Sequence, residues 1–313
     1  MPGGHSSARA SLLAPCAAAQ AHFATVYEFS GGAAPAGLTA ANGVLYGTAG
    51  SPDCGTVFEL QPPGPGGGQW TQTVLYTFTG ENGDACGPNG LTAGPNGILY
   101  GASIGGGFTH DGTVFELLPP TSPSASWTET VLHSFTGGAG GTPFGNAIIG
   151  GQGEIYGASS DGTYGCGNVF ELRPPAAPGG EWTETVLYSF QGGEDGSTPY
   201  SPVTTAGDGS IYGTTFGTMI IGAGSGPGPY GVGTVFELKP PVSPGGIWTK
   251  TVLQQFGDGN DCGPNSPLIP RREHLRHDLS GRRRLGVRDA TASRDGRPLD
   301  YYRSPPVHQR SAA

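Results

Sequence analysis

One stretch is written four times in this chain, and any fold must use it four times in the same way. It reads GTVFELQPP…QWTQTVLYTF over residues 55–78 and GTVFELLPP…SWTETVLHSF over residues 112–135. It returns as GNVFELRPP…EWTETVLYSF over residues 167–190 and as GTVFELKPP…IWTKTVLQQF over residues 233–256. The four tryptophans, Trp70, Trp127, Trp182 and Trp248, each lie 12 residues after a phenylalanine of FEL, namely Phe58, Phe115, Phe170 and Phe236. Fixed spacing of this kind marks one supersecondary unit that buries its apolar face only by stacking on its neighbours.

Each unit carries the signals of four short strands. A short segment (residues 37–40, 90–93, 146–149 and 202–205) leads into a tight turn. A Tyr-Gly strand follows: LYGTA at residues 45–49, LYGAS at 99–103, IYGAS at 155–159 and IYGTT at 211–215. A Gly-rich loop, the FEL strand, a Pro-Pro turn and the Trp strand complete the unit. β-Branched and aromatic runs bounded by Gly, Pro, Asn and Asp are strand signals. Asn-Gly and Asp-Gly suit two-residue hairpins, whose central residues need positive φ. Pro-Pro ends a strand because proline has no N–H for the ladder.

A single four-stranded meander leaves its faces bare, whereas several stacked around an axis cover one another. The expected fold is therefore all-β: a β-propeller-like array of about four complete four-stranded blades in an incomplete ring. An open stack of meanders or a β-solenoid is the alternative. ATVYEF at residues 24–29 matches the closing strand of the unit but has no unit before it. In a closed ring such a strand completes the last blade and removes a free edge.

Composition sorts the chain into three parts: residues 1–21, a repeat domain over 22–269, and a tail over 270–313. Glycine, at 59 residues without a three-residue period, means many tight turns. No run approaches the ~20 apolar residues of a membrane helix. The first part has an apolar run and ends Ala19-Gln20-Ala21, which fits a secretory signal with an A-x-A site; an unstructured N-terminus is the other reading. A secreted or cell-surface protein is expected, without a lipid anchor at Cys16 because Pro15 precedes it. The net charge of −9 averages unlike segments: 19 acids and 4 bases lie before residue 270, and 11 arginines and 5 acids lie beyond it.

Alternating strand direction sends the Gly-rich loop and the loop after each Trp strand to one rim, and the Asn-Gly and Pro-Pro turns to the other. Cys54 and Cys86 fall in adjoining loops of one blade, on the first rim, and are expected to form a disulfide in an oxidising compartment. Cys166 and Cys262 are expected free. No paired-Cys or His spacing suggests zinc.

LYGT, GTVFEL and WTETVLYSF, together with GGEDGSTPYSPVTTAGDGSIYGTT at residues 192–215, resemble the GloVer tandem repeat of secreted or surface-anchored bacterial proteins. The likeness spans roughly residues 24–269 and implies an extracellular propeller-like domain. It carries no catalytic residue over to this chain.

A fifth unit is due after residue 269, and an Arg-rich aperiodic stretch stands there instead. Arg282–Arg284 could be taken for a nucleic-acid patch, but a one-base shift in reading frame accounts for more. Permissible codons read one base later restore a phenylalanine at position 287, a tryptophan at 299 and a phenylalanine at 307, at the spacings of 12 and 8 seen in the four visible copies. Residues 270–313 are thus expected to be a disordered, frameshifted tail without strand pattern, and nucleic acid is not an expected partner.

Glu59, Glu116, Glu171 and Glu237 recur at one position of every unit, which fits a structural hydrogen-bonding role better than catalysis. The phenylalanines of FEL and the four tryptophans are expected to pack the repeat, the tryptophans at the junctions between units. Acidic loops at residues 81–84, 194–196 and 258–261 offer oxygen ligands for calcium, though solvated turns are the plainer reading. No other cofactor is suggested. Two function classes remain: a non-catalytic extracellular scaffold binding a glycan, protein or surface through its loop rim, and a propeller hydrolase or lyase with its site at the central channel. The second needs a polar residue unique to one unit on an inner strand, for which His133 and Asp208 are the candidates.

Overall fold

The computed structural model describes residues 25–29, 34–50, 53–137, 141–177, 179–217, 233–243, 245–256 and 268. The expected signal segment, Cys262, the acidic loop at 258–261 and the tail lie outside the described residues. Each repeat folds as one antiparallel sheet, paired in chain order. Sheet 1 holds β1 (Ala34–Ala41), β2 (Val44–Gly50), β3 (Thr56–Gln61) and β4 (Thr71–Thr77). Sheet 2 holds β5 (Ala85–Ala93), β6 (Leu99–Gly106), β7 (Thr113–Leu118) and β8 (Thr128–Ser134). Sheet 3 holds β9 (Pro143–Ile149), β10 (Ile155–Ser159), β11 (Asn168–Arg173) and β12 (Thr183–Ser189). Sheet 4 holds β13 (Thr204–Thr205), β14 (Ile211–Thr215), β15 (Gly233–Lys239) and β16 (Thr249–Phe256). This is the all-β, propeller-like array of four blades that the repeats predict.

The Tyr-Gly pair now has a physical reason. In all four sheets the tyrosine stands opposite the FEL glutamate and the glycine opposite the FEL phenylalanine, as in Tyr156↔Glu171 and Gly157↔Phe170. A Cβ at Gly47, Gly101, Gly157 or Gly213 would collide with the ring of Phe58, Phe115, Phe170 or Phe236. The bare backbone is the floor on which each ring lies, and those four rings are at most 1% exposed. Each outermost strand also carries a bulge where Leu75, Leu132, Leu187 or Leu253 is the extra residue. A bulge adds local twist, and its recurrence gives every blade the same one.

Sheets stack face to face in chain order through three apolar clusters, and β1, β5 and β9 run side by side as the inner strands. A phenylalanine closing one sheet meets the FEL ring of the next edge-on: Phe78 with Phe115 at 5.0 Å, Phe135 with Phe170 and Phe190 with Phe236 at 5.2 Å. Phe29 meets Phe58 in the same manner at 5.0 Å.

Three details depart from the sequence reading. Residues 25–29 keep the side-chain packing of a closing strand but form no ladder, because among the described residues no third strand stands beside them. Asn42-Gly43 and Asn96-Gly97 have positive φ at both residues, the second pair inside a three-residue loop; the turn at 206–210 reserves positive φ for Gly209, a three-residue loop closed by glycine. The inner strand of sheet 4 shrinks to two residues, since Pro199 and Pro202 supply no N–H to β14. Beyond it, Thr204 Oγ1 donates to the Leu268 carbonyl at 2.8 Å.

Candidate functional site

Three of the four FEL glutamates are held by their cross-strand tyrosines. Tyr156 donates to Glu171 at 3.0 Å and Tyr212 to Glu237 at 2.6 Å. Arg173 and Lys239, two residues further along the same strands, add ion pairs at 2.8 and 3.3 Å. Gln61 donates to Glu59 at 2.9 Å, and burial followed by the Tyr100 hydrogen bond sets Glu116, with a net upward shift. Buried carboxylates need such partners. Trp70 packs against Phe58 and Leu60 of its own sheet, and Trp127, Trp182 and Trp248 pack against the clusters joining sheets 1–2, 2–3 and 3–4.

Each junction also carries a polar contact between the closing strand of one sheet and the residue two past the next tryptophan. Tyr27 donates to Gln72 at 2.9 Å, Tyr76 to Glu129 at 3.4 Å, and His133 Nε2 stands 3.3 Å from Glu184. At the last junction Lys250 Nζ lies 5.3 Å from the Tyr188 ring centre and 2.6 Å from Asp195 Oδ1, with only 4% of its side chain exposed. Asp84 takes the corresponding place between sheets 1 and 2, but there it faces Glu129. Burial, then the Asp84 carboxylate, push Glu129 up to about 8. Burial alone would raise Asp84, yet hydrogen bonds from Glu129, Thr79 and Ala85 hold it below the usual range.

The acidic loops therefore brace themselves. Asp84 Oδ2 accepts from Thr79 N at 2.5 Å and Thr79 Oγ1 at 2.6 Å, while Asp195 accepts from Tyr188 at 2.7 Å and Gln191 N at 2.8 Å. No group of three or more His, Cys, Asp and Glu side chains suited to a metal occurs among the described residues. His133 is on β8, an outermost strand, and Asp208 is in the β13–β14 turn, where it accepts from Ser210 N at 3.0 Å. Neither stands on an inner strand, so the polar feature that a channel-centred enzyme requires is not supplied by them.

Cys54 and Cys86 are joined by a disulfide. Sequence order put both in loops of one unit; Cys86 lies instead within β5, the first strand of sheet 2, so the bond staples two sheets together. Cys166 is free and buried, its thiol pushed up by burial and then by Asp195.

The same rim carries aromatic side chains that the strand pattern did not flag. Phe108, in the β6–β7 loop, is 80% exposed, and Tyr164, in the equivalent β10–β11 loop, is 59% exposed. Nearer the axis Phe144, Tyr200 and Phe216 form a half-buried cluster, with ring centres 4.6 and 6.1 Å apart. The Thr198 carbonyl positions two of them by accepting from both Tyr200 N and Phe216 N at 3.0 Å. Thr198 and its counterpart Thr142 have φ of 59° and 50°, rare for a β-branched residue. The available sequence signal was an aromatic residue inside an otherwise Gly-rich loop, at 105–108 and 162–165.

Four stacked sheets built from one repeated sequence, with equivalent residues spent on structure and variation gathered on a loop rim, define a propeller-like repeat scaffold. The chain belongs to the Gloeobacter/Verrucomicrobia repeat family, whose profile matches residues 13–225 and 88–275. No curated protein matches it. Among the described residues, no helix is long and apolar enough to cross a membrane.

Proposed function

We propose that this chain is a non-catalytic extracellular scaffold that binds its ligand through the loop rim. The observation that carries the reading is the outward display of Phe108 and Tyr164 from equivalent loops of neighbouring sheets. Large aromatics displayed from the same loop of successive sheets offer a partner apolar surface that the fold itself does not use. The disulfide supports an oxidising, extracellular location.

Binding to purified polysaccharides and to bacterial cell-wall material tests it. Phe108→Ala with Tyr164→Ala weakens binding at least tenfold. Val242→Ala with Ile247→Ala, in the equally exposed β15–β16 turn at the other end, leaves it unchanged. Equal loss from both pairs, or no effect of the rim pair, overturns the rim as the binding surface.

A further inference from the structure

We propose that the ligand of the rim is a glycan without acidic groups, seated by its sugar faces on Phe144, Tyr200 and Phe216 at the inner end of sheets 3 and 4; this rests on the loop-rim reading above. Two observations converge there. The rings are half-buried and mutually tilted, so each packs on its neighbour while part of it stays in solvent. They are held by strained backbone: Thr198 and Thr142, each preceding a proline, hold a positive φ that persists only where surrounding structure enforces it. Such strain gathers at ligand clamps, and here it fixes the β12–β13 connection that carries Tyr200.

Charge selects the ligand. Asp53, Asp111, Asp161 and Glu194 belong to rim loops. Arg173 and Lys239 end their strands at the opposite turns, and Lys250 is taken up by Asp195, so none of the three described Lys and Arg residues offsets these four. An acidic surface repels uronic acids, sulfated sugars and nucleic acids, while its carboxylates accept hydrogen bonds from hydroxyl or amino groups. Apolar ring faces flanked by acceptors match the two chemistries of a pyranose, a C–H face and an equatorial hydroxyl edge.

Titration of the full chain with three soluble polymers tests the assignment: a neutral β-glucan, partly deacetylated chitosan, and an alginate. Binding of the glucan or the chitosan is expected, with the alginate at least tenfold weaker at 20 mM salt. Phe144→Leu and Tyr200→Leu each weaken binding at least fivefold, and thermal melts show whether the fold persists. Asp111→Asn with Asp161→Asn, surface changes that leave the fold intact, narrow the gap between glucan and alginate. Preference for alginate, or glucan binding untouched by Tyr200→Leu, overturns this inference while leaving the rim open to another ligand. Loss of all binding on Phe108 and Tyr164 substitution without any glycan preference supports the rim alone and likewise overturns the glycan.

Discussion

At the scale of single residues, the glycine of each Tyr-Gly pair and the carboxyl pair at the first junction are the positions most open to test. Gly157→Ala drives a methyl into the Phe170 ring and is expected to cost about 1–3 kcal/mol in chemical denaturation. Gly151→Ala, with open space around it, is expected to change stability by no more than about 0.5 kcal/mol. Equal effects would remove the proposed role of the bare backbone. Glu129 has a folded value of about 8 against an ordinary 4.5, so its contribution to stability is whole below about pH 4.5 and is lost as pH rises through about 8. The melting temperature is accordingly expected to fall between pH 5 and 9, and Glu129→Gln to flatten that slope. Glu129→Lys is expected to raise the melting temperature at pH 8, by setting an ammonium beside Asp84 as Lys250 is set beside Asp195. A wild-type slope retained in Glu129→Gln would assign the pH dependence elsewhere.

At the scale of elements, strand order and strand ends were readable because the causes are local. Pro-Pro pairs stop β3, β7, β11 and β15, and β-branched runs fill the strands between glycine turns. The unpaired state of residues 25–29 was not readable, since it depends on which neighbour lies alongside. For the same reason the disulfide was foreseen as a pair but assigned to the wrong boundary. The equivalent pair between sheets 3 and 4 is Cys166 and Ser197. Thr198 N donates to the Cys166 carbonyl at 2.8 Å, as Gly87 N does to the Cys54 carbonyl at 2.9 Å. Ser197→Cys is therefore expected to form a second staple on air oxidation, read as the loss of two free thiols by titration. Free thiols persisting at both positions would show that the backbones differ. Reducing the native bond, which closes a sequence separation of 32, is expected to cost about 3–4 kcal/mol in the loop-entropy model.

At the scale of the whole molecule, the repeat made the stacked architecture legible, while the rim was not, because aromatic residues in Gly-rich loops follow no period. Phe256 is partly exposed where Phe78, Phe135 and Phe190 are buried. Light scattering across a concentration series is expected to show self-association that Phe256→Asp reduces; identical masses for both proteins would count against an adhesive last sheet. The four contacts that seat each closing strand have a further consequence. Tandem units this alike risk exchanging partners as they fold. Yet tyrosine meets glutamine at the first seat, tyrosine meets glutamate at the next, histidine meets glutamate at the third, and a buried lysine fills the last. A lysine-bearing sheet set after sheet 2 would bury a cation beside His133, where the loop at 136–142 holds no aspartate to receive it. Near-identical pages are thereby steered toward one order, the last spine cut against the leaf that bears the histidine.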